Sequence, residues 1–341
     1  MLGEVKLSVI VPTYNAGEKI KPCLSSLENN LEFLSIQTNL IYEILIINDG
    51  GDEIDLKFLK NIDKIKQHRL RKNKGVGYAR QLGFKISKYD YLFYLDSDVV
   101  MENKDTLKIL FDDFLKDKSI GSIGASQSYN NLNTDYSSNF VAAKTCYGFE
   151  EDKLLYEFSG MRSECGLMEK NFLELIGGWK FFPGAGGEEF DLGHRVTKNG
   201  KKNIISKKTN YTTFYDNLFI RCRTIIYRTS NYLPILISKK KFESKGAFAT
   251  LSQAISVFIT SIMLVVLFLS FFFPYIENLV FVLLLFNLIV EFSFLKFVMK
   301  YYNKSGFPLY IMGIYLINIS IIIGVLIGFF KLKPFLKKFN Y

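Results

Sequence analysis

Three long apolar runs in the last third of the chain, residues 248–273, 279–298 and 308–330, limit what it can fold into more than any other feature. Each is about the ~20 residues an α-helix needs to cross a hydrocarbon layer, so three transmembrane helices are expected. The first two thirds mix charged and apolar residues as a water-exposed domain does, and 341 residues leave room for one α/β domain of ordinary size there. The net charge of +10 follows the same division, because Arg221, Arg223 and Arg228, residues 239–241 and residues 331–338 all flank apolar segments. That placement suits a membrane surface and argues against nucleic acid as a partner.

Lysines before the first run (residues 239–245) and after the second (Lys300, Lys304) put both ends of that hairpin on the cytosolic side. A third crossing then leaves the basic tail on the outer side, against the same tendency. Glu291 lies inside the second run, where it either pairs with Lys296 or meets a polar head group. Residues 215–237 interleave aromatic and aliphatic side chains with arginines, interrupted by Pro234, which reads as an amphipathic helix on the membrane surface. Residues 1–6 run directly into a strand pattern without the apolar region of a signal peptide, so the leading domain is expected in the cytosol. Cys23, Cys146, Cys165 and Cys222 are scattered with no C-x-x-C spacing and read as reduced thiols.

Within the leading domain, residues 7–11 are a β-rich run closed by Pro12-Thr13-Tyr14-Asn15, followed by helical spacing over residues 16–27. The unit recurs as a strand over residues 42–47, the turn Asn48-Asp49-Gly50-Gly51, and a helix expected over residues 53–65. Gly75 and Gly77 open a further helix through Lys88, and a buried strand over residues 89–95 stops at Asp96-Ser97-Asp98. Repeated βα units imply a parallel sheet, whose strand ends and following loops form the crevice where ligands bind. Another strand is expected over residues 120–125, then a polar, irregular loop over residues 126–153 lying above the site. Beyond it come an apolar stretch at residues 165–168, a helix over residues 169–176, and a glycine-rich segment, residues 184–187. That segment feeds Glu188-Glu189-Phe190-Asp191-Leu192-Gly193-His194-Arg195, acids that a helix N-terminus favours.

Two carboxylates one residue apart, as in Asp96-Ser97-Asp98, suit a hard divalent cation and a ribose hydroxyl. Such a pair also occurs in solvated turns, so its neighbours decide the reading. Val9-Ile10-Val11-Pro12-Thr13-Tyr14-Asn15-Ala16, Glu43-Ile44-Leu45-Ile46-Ile47-Asn48-Asp49-Gly50, Asn73-Lys74-Gly75 through Ala79-Arg80, and Asp96-Ser97-Asp98 occur in that order. Together they resemble the inverting family 2 glycosyltransferases of GT-A fold, closely over the first hundred residues and more loosely to about residue 202.

The resemblance implies that Pro12, Thr13, Tyr14 and Asn15 line a nucleotide pocket and that Asp49 accepts a hydrogen bond from the base. It places Gly75 and Arg80 near the nucleotide, a surface ion pair being the alternative for Arg80. Asp96 and Ser97 would meet the ribose or metal, and Asp98 would bind Mg²⁺ or Mn²⁺ directly. Glu188-Glu189 resembles the family's Glu-Asp pair, whose second acid is the general base, with Asp191 a competing candidate. Asn48 stands where Asp is more usual. His194 either completes a metal site or is a polar face residue, and Trp179 either stacks on an acceptor sugar or packs in the core.

The expected architecture is therefore an α/β GT-A domain over residues 1–210, an amphipathic interfacial linker over 211–247, and a transmembrane domain over 248–341. The expected activity is transfer of a sugar from a UDP or GDP sugar to a hydroxyl of a lipid-linked glycan at the cytosolic membrane face. A polyprenyl-phosphate sugar synthase and a catalytically silent membrane scaffold are the alternatives. A processive polysaccharide synthase fits less well, since Trp179, the only tryptophan, is not preceded by a Q-x-x-R arrangement.

Overall fold

The computed structural model describes residues 3–132, 135–147, 153–181, 187–239, 250–302 and 304–339. The chain divides into two compact units, one of residues 1–132 and 151–214, the other of residues 133–150 and 215–341.

The first unit is built on a mixed sheet. Strands β1 (Val5–Thr13) and β2 (Leu40–Asn48) are joined by α1 (Ile20–Gln37). Next come β3 (Ile65–Arg69), α2 (Val76–Ile86), β4 (Tyr91–Leu95), β5 (Val99–Met101), α3 (Thr106–Lys116) and β6 (Ile120–Asn131). After α4 (Tyr136–Cys146), which belongs to the second unit, follow β7 (Leu155–Glu157), β8 (Cys165–Glu169), α5 (Lys170–Leu175), α6 (Glu188–Lys198) and β9 (Lys202–Thr213). The strand order is β3-β2-β1-β4-β8-β6-β9-β5, with β7 on β9. Strands β3, β2, β1 and β4 are mutually parallel, and β8 enters antiparallel between β4 and β6. The expected all-parallel sheet thus holds only for its first half.

Alternation along each strand loads both faces of this sheet, which is why β1, β2 and β4 read as continuous apolar runs. Val9, Val11, Ile44, Ile46, Phe93 and Leu95 pack with Leu24, Leu27 and Leu31 of α1 and Leu110 and Phe111 of α3. Ile10, Leu45, Ile47, Leu92 and Tyr94 pack on the other side with Ala79 of α2, Leu173 of α5, and Leu192 and Val196 of α6. A Cβ on Gly83 would lie 2.4 Å from Cγ2 of Ile10, so the missing side chain is what lets α2 approach the sheet.

Two further expectations are corrected. No α-helix forms over residues 53–65, where only a short 3₁₀ turn at Ile62–Lys64 precedes β3. Side chains capture the backbone instead: Oδ1 of Asp55 accepts from the amide of Lys57, and Oε1 of Glu28 accepts from the amides of Lys60 and Asn61. Of the segment expected to be an irregular loop, residues 126–153, the described part holds the end of β6 and α4, which is capped by Asp135, whose carboxylate accepts from the amide of Ser138 at 2.9 Å; residues 133–134 and 148–152 lie outside the described residues.

The second unit is helical. It comprises α4, α7 (Leu218–Lys239), α8 (Leu251–Ser270), α9 (Glu277–Val290), α10 (Phe292–Tyr301) and α11 (Phe307–Phe339). Two stretches, Leu251–Ser270 and Lys304–Phe330, are long and apolar enough to cross a membrane. The expected middle span is bent by 59° between Pro274–Val290 and Phe292–Tyr301, so the count reaches three only if that bent pair crosses as one. Glu291 sits at the bend, and its carboxylate meets Nζ of Lys144 on α4 at 3.0 Å, replacing the expected pairing with Lys296. Phe294, one turn on, packs edge-to-face on Phe140 and Tyr147, which draws α10 toward α4.

Helix α7 does not stop at Pro234, and it is not a lone surface helix: Ile225, Thr229, Ser230, Tyr232 and Leu233 are buried. Gly324 and Gly328 of α11 face it, where a Cβ would come within 2.7 Å of Thr229 and 2.9 Å of Leu233. Small residues four apart allow that close packing of apolar helices. Ser256 and Thr260 of α8, Asn287 of α9 and Asn318 of α11 are each fully buried and hydrogen-bond one another. The lysine clusters at residues 240–245 and 331–338 lie outside the described residues or side chains.

At the sheet rim remote from the D-x-D turn, the buried carboxylate of Glu43 accepts from Oγ of Ser8 (2.9 Å), the amide of Lys88 (2.7 Å) and Nζ of Lys66 (2.9 Å). Burial opposes its charge, but these three donors outweigh it and hold its pKa below the ordinary 4.5. A depressed carboxylate contributes stability that is present above the unfolded-state value and lost as pH falls through the folded-state value. Glu43→Gln is therefore expected to cost about 1–3 kcal/mol at pH 7. The difference in thermal midpoint from the parent should shrink as pH is lowered below 4.5; a difference independent of pH would show that the charge is not what matters.

Candidate active site

Because β1, β2 and β4 are parallel, the loops at their C-terminal ends share one rim. After β1, Asn15 adopts a left-handed conformation (φ 48°), which asparagine tolerates better than most residues. Its Oδ1 accepts from the amide of Asp52, and a Cβ on Gly51 would fall 2.6 Å from its backbone nitrogen. Asn48 closes the neighbouring turn twice over: Oδ1 accepts from the amide of Gly51 at 2.8 Å, and Nδ2 donates to the carbonyl of Asp52 at 2.6 Å. An aspartate there could accept but not donate, which gives the replacement of the more usual acid a physical reason.

Asp49, 3 % exposed, accepts from the amides of Lys74 (2.8 Å) and Gly75 (2.7 Å). Burial pushes its pKa up, while those amides and the Lys74 charge oppose the shift. The carboxylate thus draws the turn before α2 to the rim and aims the positive end of α2, from Gly75 onward, into the space above the sheet. Gly75 has φ 94°, a conformation glycine accepts without strain.

These loops surround a cavity of about 690 Å³. Pro12, Thr13, Tyr14, Asn15, Asp49, Gly75, Asp96, Ser97 and Asp98, all expected around a nucleotide, line it. So do Lys19, Lys74 and Phe181, which sequence reasoning did not single out. Lys74 lies within a motif already recognised, whereas nothing in the sequence marks Lys19 or Phe181.

Arg80 is not a surface ion pair. Its side chain is 1 % exposed and its guanidinium joins acids from distant parts of the chain. Nη2 donates to both carboxylate oxygens of Asp96 (2.9 and 3.2 Å), while Nη1 donates to Oε1 of Glu189 (2.7 Å) and lies 3.9 Å from Glu188. Burial opposes the charge on Arg80, but Asp96, Glu189 and Glu188 more than compensate and raise its pKa. Burial also pushes Asp96 up to about 7 against the pull of Arg80, with Glu164 and Asp98 adding to the rise.

Trp179 is 4 % exposed, 5.2 Å from the Arg80 guanidinium and edge-on to Tyr94 at 5.2 Å, so it backs the arginine from within the core instead of presenting an open face. Glu188 is buried beside Arg80, and a Cβ on Gly77 of α2 would approach its Cβ to 3.8 Å. Asp191 is fully buried and held by Nε (2.8 Å) and Nη2 (2.6 Å) of Arg195, with Lys180 at 3.6 Å. His194 lies on the same helix but not among the residues lining the cavity. The glycine-rich run before α6 falls outside the described residues, apart from Gly187.

Among the described residues, no three His, Cys, Asp or Glu side chains gather into a ready-made metal cage. Asp96 and Asp98 on the cavity wall form the kind of oxygen donor set that Mg²⁺ or Mn²⁺ uses when substrate phosphates complete the shell.

Residues 8–175 match the family model described as "Glycosyl transferase family 2". The chain carries a glycosyl transferase family 2 domain. Over 105 residues, 29 % of the chain, it is 37 % identical to the poly(ribitol-phosphate) beta-N-acetylglucosaminyltransferase TarP of Staphylococcus aureus, covering 30 % of that protein. Over 141 residues, 40 % of the chain, it is 29 % identical to the chondroitin synthase of Escherichia coli, covering 18 % of it. The match therefore spans less than a third of either relative. The mannosyltransferase PcManGT of Pyrobaculum calidifontis, solved with GDP-Man and Mn²⁺, superposes with a TM-score of 0.55 at 12 % identity, covering 96 % of this chain and 88 % of that one. That likeness establishes the mixed α/β GT-A fold of the family 2 domain.

Removing the Arg80 charge takes away the cation that Asp96 and Glu189 share in the interior. Arg80→Met should destabilise the family 2 domain by about 3–5 kcal/mol, the usual cost of orphaning buried charges. Arg80→Lys, which keeps the charge but not the fork that reaches two acids, should lower turnover at least ~10-fold. An Arg80→Lys protein with parental turnover and thermal midpoint would contradict this assignment.

Proposed function

We propose that this chain is a membrane-anchored, inverting glycosyltransferase that moves a sugar from a nucleotide diphosphate sugar onto a hydroxyl of a lipid-linked glycan at the cytosolic membrane face. The observation that carries the proposal is the shared guanidinium of Arg80, which ties the D-x-D turn beside the cavity to Glu189. It supports reading Glu189 as the base, because Glu189 shares this guanidinium with Asp96, which lines the cavity. The family match ends at residue 175, so the role of Glu189 rests on this geometry and on the motif resemblance.

In the proposed reaction Glu189 takes the proton of the acceptor hydroxyl as that oxygen attacks the anomeric carbon. The carbon–oxygen bond to the diphosphate breaks on the opposite side, and configuration inverts without a covalent enzyme intermediate. Lys19, Lys74 and the N-terminus of α2 stand on the cavity wall where growing negative charge on the leaving diphosphate is stabilised. Asp98, with Asp96, would hold Mg²⁺ or Mn²⁺, which when bound supplies Lewis-acid neutralisation of the phosphates.

Asp191 is the weaker candidate for the base because Arg195 occupies its carboxylate in the interior. A base also favours a hydroxyl acceptor over a lipid phosphate, which is already ionised near neutral pH, and so argues against a polyprenyl-phosphate sugar synthase. The two apolar helices support the membrane anchor. Both UDP and GDP sugars fit the proposal, and a panel of labelled donors incubated with membranes carrying the protein identifies which label reaches the lipid extract.

Asp98→Ala and excess chelator should each nearly abolish transfer; undiminished transfer in chelator would remove the metal from the proposal. Glu189→Gln should retain donor binding and lose about 10²–10⁴-fold in turnover. Asp191→Asn should act mainly on thermal stability. An inactive Asp191→Asn beside an active Glu189→Gln would reverse the assignment of the base.

A further inference from the structure

Residues 64–74, which run from the turn before β3 to the mouth of the cavity, carry six lysines and arginines and His68, with no acid among them. Three of these cations have acidic partners: Lys64 meets Asp63 at 3.6 Å, Lys66 meets Glu43 at 2.9 Å and Arg69 meets Glu53 at 3.3 Å. Lys74 lines the cavity and donates from Nζ to the hydroxyl of Tyr78 at 3.1 Å. Arg71 and Lys72 are exposed and form no ion pair among the described residues. Strand β3 is parallel to β2, so its C-terminal end points to the rim that carries Asp49. The amide of Leu70 donates to the carbonyl of Asn48 at 2.8 Å, and a Cβ on Gly50 would lie 2.6 Å from the carbonyl carbon of Lys72. The backbone of this segment therefore presses against the Asn48-Asp49-Gly50 turn, and Arg71 lies within about 11 Å of Lys74 along the chain. Edge strands use exposed cations to discourage pairing with another chain, which accounts for Lys66 and Arg69 on β3, the first strand of the sheet. Arg71 and Lys72 lie beyond the strand, where that protection does not need them.

The cavity itself is a poor attractor of anions. Three carboxylates, those of Asp49, Asp96 and Asp98, line it against the two ammonium groups of Lys19 and Lys74. A nucleotide diphosphate sugar is a dianion, so the field that draws it in must come from charge outside the wall. We propose that Arg71 and Lys72 are an electrostatic entry ramp, a positive surface at the cavity mouth that captures the dianionic donor from solution and speeds its arrival. The inference rests on the reading of the cavity as a nucleotide-sugar site. Neither residue lines the cavity, so their part is in the approach of the donor and not in holding it. Charges at the edge of a site act in this way on the association rate and on its dependence on salt, and leave dissociation to the groups that touch the ligand.

The test mixes the full-length protein, in neutral detergent with Mg²⁺ held constant, with fluorescently labelled UDP or GDP, and reads kon and koff by stopped flow. Salt is set at ~10 mM and ~1 M, where charges act over ~30 Å and ~3 Å respectively. The variant Arg71→Gln/Lys72→Gln is expected to lower kon about 3–10-fold at low salt, with koff and the thermal midpoint at parental values. At ~1 M salt its kon should match the parent's. The control is Lys116→Gln/Lys118→Gln, which removes the same charge just before β6. That strand runs parallel to β4, both being antiparallel to β8, so the control lies at the end of the sheet away from the rim, and its kon should be parental. A parental kon in the Arg71/Lys72 variant at low salt, a loss that persists at ~1 M, an effect confined to koff, or an equal loss in the control would each overturn the ramp. A variant with parental kon whose transfer falls only in bilayers containing anionic lipid would assign the two cations to lipid head groups and overturn it as well. A parent that binds neither nucleotide would instead overturn the reading of the cavity, so the two failures are distinguishable.

Discussion

A guanidinium taken almost wholly out of water must be balanced where it lies, and the balance here comes from acids that the chain brings from two directions. Asp96 arrives at the end of β4; Glu188 and Glu189 arrive at the start of α6, more than ninety residues later in the chain. Together they more than offset the desolvation of its charge. The parallel pairing of β1 with β4, the close approach of α2 to the sheet at Gly83, and the contact of Gly77 with Glu188 all serve to bring that ion network together. Folding the family 2 domain and assembling its candidate active site are in this sense one event, since the charge that holds α2 in place is also the charge that holds Glu189.

The cavity wall follows a similar economy of parts. Asp49 is a buried acid whose partners are backbone amides, so its cost of burial is offset by shaping the turn that opens α2. Asn48 does with an amide what an acid could not, closing its turn from both sides. In the helical unit, uncharged polar side chains from α8, α9 and α11 satisfy one another in an apolar setting, which fixes the rotational register of those helices where apolar packing alone would leave it loose.

Much of this was legible in the order of residues. Strands β1, β2 and β4 are unbroken apolar runs ended by turn formers, and the acids and glycines that follow them are the cavity wall. Other parts were not. Strand β9 mixes lysine, threonine and asparagine with its isoleucines, so no clean alternation betrays it. Helix α4 has a good cap in Asp135 and an apolar centre at Phe140 to Ala143, but its polar flanks gave the impression of a loop. The helix expected over residues 53–65 was defeated by Glu28, a partner distant in sequence. The different partners of Glu189 and Asp191 were also beyond sequence pattern. Residues 188 and 191 fall on the buried face of α6 and residue 189 turns ~100° away from residue 188; only the fold reveals that Arg195 already claims Asp191.

The most direct measurement is a structure of the full-length protein with a nucleotide sugar and Mn²⁺. The account predicts the diphosphate in the cavity beside Asp98, Arg80 still within hydrogen-bonding distance of Glu189, and the Glu189 carboxylate facing the anomeric carbon with room for an acceptor oxygen between them. A donor bound elsewhere, or a Glu189 carboxylate turned away from the sugar with its link to Arg80 broken, would contradict it.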